Sequence, residues 1–83
     1  SPVKRVVIVE DNASVAKYFR YVLEHAGYTV AITESGDEAV SLARETETVA
    51  VLVDVSLRGT QYAGRYIDGL ELSRILKDDE HTT

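Results

Sequence analysis

Three carboxylates stand where apolar runs stop. Glu10 and Asp11 follow Val6-Val7-Ile8-Val9, and Asp54 follows Val49-Ala50-Val51-Leu52-Val53. An acid placed directly after a buried strand sits at its carboxyl end, which in an open parallel sheet is the end where ligands bind. If the two strands are neighbours, the three acids converge on one crevice. Carboxylates that close do not all stay ionised alone, so a proton or a cation must join them. Hard oxygen donors in a chain without cysteine, whose two histidines are not clustered, favour Mg2+ or a similar ion that takes a few carboxylates and keeps several waters. A phosphate cradle is the main competing use of this position. It needs a glycine-rich turn opening a helix. Glu10-Asp11-Asn12 has no glycine, and neither G-x-x-x-x-G-K-[ST] nor G-x-G-x-x-G occurs in the chain.

The elements that position these acids follow from periodicity. Val6 to Val9 is continuously apolar and β-branched at every position, the habit of a strand buried on both faces. Val15, Phe19, Val22, Leu23 and Ala26 then fall on one helical stripe, with Asn12 or Ser14 as its cap and Gly27 as its stop. Tyr28 to Thr33 reads as a second strand. Ser35 and Glu38 have capping-box spacing ahead of a short helix bearing Ala39, Val40, Leu42 and Ala43. Val49 to Val53 is the third strand, Val55 to Asp68 a loop, and Gly69 to Asp79 a last helix with Leu72, Ile75 and Leu76 on one side. The order β-α-β-α-β-α predicts an α/β, doubly wound parallel sheet joined by right-handed crossovers.

Composition sets the bounds. Eighty-three residues leave room for one small domain, and a core that size is marginal. With no cysteine, neither disulfides nor thiolate metal sites support it. Nine basic against fourteen acidic side chains give a net charge of −5, which disfavours direct nucleic-acid binding or an anionic membrane surface. No apolar run approaches the ~20 residues of a membrane span. The expected setting is cytoplasmic, with a cation, a phosphate or a protein as partner.

Val6-Val7-Ile8-Val9-Glu10-Asp11-Asn12, Val51-Leu52-Val53-Asp54-Val55-Ser56-Leu57 and Asp68-Gly69-Leu70-Glu71-Leu72 together resemble the receiver domain of two-component response regulators, as do Gly27-Tyr28 and Ser35-Gly36-Asp37-Glu38-Ala39. The resemblance implies a flavodoxin-like fold with strand order 2-1-3-4-5. It makes Asp54 the phosphoacceptor, attacking a phosphohistidine of a sensor histidine kinase or a histidine phosphotransfer protein. Mg2+ would then be held by Glu10, Asp11, Asp54 and the backbone carbonyl of Ser56, whose side chain would tune the rates. The physical logic agrees, since phosphoryl transfer needs in-line positioning, a nucleophilic carboxylate and a cation on the transferring oxygens. Such a module takes part in its own phosphorylation and is not a turnover enzyme.

The sequence also departs from that pattern. Arg58 stands where the family usually has proline, and Gly59 to Ile67 lengthen the connection after the third strand, which could bring Arg58, Tyr62, Arg65 or Tyr66 over the site. The family's fourth and fifth strands, with a Ser or Thr, a Lys and an aromatic that answer the phosphoryl group, have no counterpart here. Residues 1–83 are therefore expected to form a single receiver domain incomplete at its C-terminal side, and Lys77, Thr82 and Thr83 are not assigned those roles. The third strand becomes an edge, so the chain is not expected to be a well-folded monomer. The alternative function is a truncated or degenerate receiver that self-associates through the open edge and carries no phosphate. A hydrolase of the aspartyl-phosphate class would place an Asp-x-Asp after the first strand, and Glu10-Asp11-Asn12 does not fit. His25 and His81 are read as a helix-end charge and a tail residue, and Tyr18 and Tyr21 as surface or packing residues.

Overall fold

The computed structural model describes residues 3–54 and 60–78. Its elements run β1 (Arg5–Val9), α1 (Ala13–His25), β2 (Thr29–Thr33), α2 (Gly36–Ala43), β3 (Thr48–Val53), β4 (Thr60–Tyr62), β5 (Arg65–Ile67) and α3 (Gly69–Asp78). The parallel sheet has the order β2-β1-β3, so β1 is central. Val7 pairs with Ala31 on one side and with Val51 on the other. This is the three-stranded parallel sheet with flanking helices expected of the flavodoxin-like receiver fold. All four residues from Val6 to Val9 are buried, as a continuous apolar run in a central parallel strand requires.

The ends of the helices explain themselves locally. The Asn12 side chain accepts from the Ser14 and Val15 amides at 3.0 and 3.2 Å, satisfying two of the orphan donors of α1. At the other end the Gly27 amide donates to the Glu24 carbonyl and the Tyr28 amide to the Leu23 carbonyl, a Schellman closure with Gly27 at φ 96°. Ser35 Oγ accepts from the Glu38 amide at 3.2 Å and opens α2. Asp68 Oδ1 accepts from the Glu71 amide at 2.8 Å and opens α3.

One expectation is corrected, and one feature of α1 is added. The stretch read as loop contains an antiparallel hairpin, Thr60 pairing with Ile67 and Tyr62 with Arg65; β4 and β5 belong to this hairpin and not to the parallel sheet. Its turn carries Ala63 at φ 52° and Gly64 at φ 80°, the two left-handed central residues of a tight hairpin. The apolar stripe of α1 is also not a buried face. Val15, Phe19 and Val22 are exposed, and Ala16 is the buried residue of the helix. The main core lies on the opposite face of the sheet, where Val7 and Val9 meet Ala39, Val40, Ala43, Ile67, Leu72 and Leu76. Among the described residues no helix is long and apolar enough to cross a membrane.

Candidate functional site

The carboxyl end of β1 delivers Glu10 and Asp11, and the carboxyl end of β3 delivers Asp54. Because β1 and β3 are hydrogen-bonded neighbours with Val9 opposite Val53, the next residues on both strands come side by side. The Asp54 amide continues the ladder by donating to the Val9 carbonyl at 3.3 Å. On the other flank the Glu10 amide donates to the Thr33 carbonyl of β2 at 3.2 Å. A carboxylate oxygen from each of Glu10, Asp11 and Asp54 lies within 4.8 Å of the others. The sheet thus brings together the three acids read from the sequence. Ser56, the fourth expected ligand through its carbonyl, lies outside the described residues, as does Arg58.

The three acids are not equivalent. Glu10 is 6% exposed, whereas Asp11 is exposed and Asp54 is half-buried. Glu10 Oε2 accepts from the Asp11 amide at 3.1 Å and the Asn12 amide at 3.3 Å, so the turn after β1 folds around its carboxylate. Burial pushes the Glu10 carboxyl above its usual range; the Asn12 amide opposes this, and the charge of Asp54 adds to the rise. A buried carboxylate with two further acids beside it is short of positive charge. Three hard oxygen donors, open to solvent on the Asp11 side and with no softer ligand among them, suit a magnesium-like ion that needs a few carboxylates and keeps waters. Beside the cluster a groove of about 420 Å³ runs between α1 and β3, lined by Val15, Phe19 and Leu52 with Glu10 and Asp54 at its end.

Among the described residues of the lengthened connection, Tyr62, Arg65 and Tyr66 have their partners away from the cluster. Tyr62 packs against the core, Arg65 pairs with Glu71 of α3 at 2.9 Å, and Tyr66 is exposed beside Thr33, Glu34 and Ser35. What sequence reasoning missed is the seat of the hairpin. Thr60 is buried, its hydroxyl donates to the Glu34 carbonyl, and the Ala63 amide donates to Asp37 Oδ1 at 3.0 Å. A threonine three residues ahead of Ala63-Gly64 was its only sequence signal, and it is a weak one.

A family model described as the response regulator receiver domain matches residues 6–83. The polar-differentiation response regulator DivK of Brucella ovis is 43% identical over 77 residues, which cover 93% of this chain and 57% of that protein. The protein of the same name from Brucella anthropi is 40% identical over an alignment of the same extent. The chain therefore spans little more than half the length of these curated relatives. The chain belongs to the response regulator receiver domain family.

Proposed function

We propose that this receiver is a phosphoacceptor of a two-component phosphorelay, with Asp54 taking a phosphoryl group from a phosphohistidine on a sensor histidine kinase or a phosphotransfer protein. The observation that carries the reading is the convergence of Glu10, Asp11 and Asp54 at the carboxyl edge of the sheet, their ligand oxygens within 4.8 Å. An Asp54 carboxylate oxygen attacks phosphorus, a P–O bond forms, and the P–N bond to the donor imidazole breaks as that ring takes up a proton. Mg2+ would be held by Glu10, Asp11 and Asp54, with the carbonyl of Ser56, which lies outside the described residues, as the fourth expected ligand, and would supply positive charge for the transferring oxygens. Glu10 is the rigid member of the set, fixed by two backbone amides, and exposed Asp11 is the member best placed to reach the ion through water. The chain acts once per phosphoryl group, is not a turnover enzyme, and works in the cytoplasm.

The test is the intact mass of the chain before and after incubation with Mg2+ and a small acyl phosphate. A gain of one phosphoryl group that Asp54→Asn abolishes is the expected result. Labelling that survives in Asp54→Asn moves the acceptor elsewhere. No gain in the wild type favours the second reading, an interaction module that pairs with itself along β3. That reading has its own observation: Leu52 on the edge strand and Phe19 on α1 are 41% and 40% exposed along one groove.

A further inference from the structure

Helix α1 starts directly after the Glu10-Asp11-Asn12 turn, and its first turn differs from those of the other helices. α2 opens with Asp37 and Glu38 and α3 with Glu71, carboxylates that suit the positive end of a helix. α1 has no acid in its first turn. Glu10 takes that place from outside the helix. Its Oε2 accepts from the Asp11 amide at 3.1 Å and from the Asn12 amide at 3.3 Å, the two amides that lead into α1. The same carboxyl is within hydrogen-bonding reach of the Asp11 and Asp54 side chains. One carboxyl group is therefore shared between the acid site and the start of the helix.

Asn12 fixes how the two meet. Its backbone is extended, at φ −92° and ψ 110°, and the helix begins at the next residue. Its amide turns back to Glu10, while its Oδ1 accepts from the Ser14 amide at 3.0 Å and the Val15 amide at 3.2 Å. Its carbonyl accepts from the amide of Ala16, the buried residue of α1, at 3.0 Å. Val15 and Phe19, the large apolar side chains of this end, are exposed, so apolar burial contributes little to holding it. Removing the Asn12 side chain leaves two amides without their acceptor. The backbone is then free to leave the conformation in which the Asp11 and Asn12 amides both face Glu10 Oε2.

We infer that Asn12 is a positioning residue of the acid site: its side-chain cap on α1 holds the turn whose amides fix the Glu10 carboxylate beside Asp11 and Asp54. This rests on the reading of the three acids as a cation site. It is also reciprocal, since whatever factor the intact cap adds to cation affinity, a bound cation returns as added protection of the cap.

The test uses the full chain with Mg2+ alone, with affinity read by titration calorimetry and stability by urea unfolding without Mg2+. Asn12→Ala removes the cap and is expected to weaken Mg2+ binding about five-fold or more, at the lower end of ordinary coupling between sites. Asn12→Ser, which keeps a capping oxygen, is expected to restore it. Ser35→Ala removes the corresponding cap of α2, where Ser35 Oγ accepts from the Glu38 amide. It is expected to lower the urea midpoint to a similar degree and to leave Mg2+ affinity unchanged. Unchanged affinity in Asn12→Ala, weak binding that Asn12→Ser does not restore, or equal weakening in Ser35→Ala overturns the role of Asn12 while leaving the cation site standing. Absence of Mg2+ binding in the wild type overturns the reading of the acids, and the role of Asn12 with it. If Asn12→Ala loses its far-UV signal, amide hydrogen exchange in the wild type carries the test. Mg2+ is expected to slow exchange at Ser14 and Val15, and exchange there that is indifferent to Mg2+ overturns the inference.

Discussion

On one face of the parallel sheet, Val7 and Val9 of β1 lie under α2, α3 and the hairpin, packed with Val40, Ile67 and Leu72. On the other face, Ile8 of β1 and Leu52 of β3 look toward α1 across a groove, and Phe19 and Val15 of that helix stay exposed. The side chains on the two faces are of the same kind, and what differs is the number of elements above them. Two helices and a hairpin close one face among the described residues, and a single helix half covers the other. Apolar character therefore selects which residues are available for a core, while topology decides which of them reach one. The acid site lies where the two regimes meet: Glu10 lines the open groove, and its amide donates to the Thr33 carbonyl, next along the chain to the Glu34 carbonyl that accepts from Thr60 of the hairpin.

The largest effect that would break this contrast is in the core. Leu72 is 0% exposed, and Leu72→Ala is expected to cost about 2–5 kcal/mol in urea unfolding. Phe19→Ala on the open face is expected to cost less than about 1 kcal/mol. If both cost the same, and the Phe19 loss grows with protein concentration, the α1 face is covered by a second copy in solution.

The acid at the boundary gives a pH signature that sharpens the comparison. The folded pKa of Glu10 is raised above its ordinary value of 4.5, so its contribution to stability is fully present below that pH and is lost as pH rises through the folded value. Glu10→Gln is therefore expected to be more stable than the wild type at neutral pH without divalent cation, with the gap closing below pH 4.5. A gap of constant size across the titration would show that the charge of Glu10 is not what separates the two proteins.

The smallest effect concerns the hairpin turn. Ala63 holds a left-handed conformation that costs a non-glycine residue about 1–2 kcal/mol, and asparagine tolerates it better. Ala63→Asn is expected to raise the urea midpoint by an amount worth up to about 1 kcal/mol, because the donor to Asp37 is a backbone amide and survives the change. A lower midpoint would mean that the hairpin is not held by its turn.

The order of elements and the convergence of Glu10, Asp11 and Asp54 were legible because each rests on a strong local signal: continuous β-branched runs, capping side chains, and acids placed at strand ends. The hairpin was not legible. Its strands are three residues long, too short for alternation to register, and its turn has Ala63 where Asn or Asp before Gly64 would have announced it. The α1 stripe was legible as apolar, but its exposure was not, since burial depends on what packs opposite Phe19 and Val22, and periodicity within one helix does not contain that. Thr60 illustrates the remaining gap. Its role depends on a carbonyl 26 residues away in sequence, a partner that no local pattern names.

The unbroken apolar run of β1 has a cost in uniqueness. In an alternating strand, a slip of one residue would turn polar side chains into the core and be rejected. Sliding Val6-Val7-Ile8-Val9 by one position exchanges apolar for apolar on both faces, so burial alone does not choose between alignments. The ends choose. A slip in one direction carries Glu10 into the place of Val9, and in the other it carries Arg5, paired with Glu45 at 2.6 Å, into the place of Val6. The first move pulls Glu10 from the Asp11 and Asn12 amides that satisfy its carboxylate, and the second strips the Arg5 charge of water; an uncompensated buried charge costs several kcal/mol. The most buried acid of the cluster is thus also the stop that tells the central strand where to end.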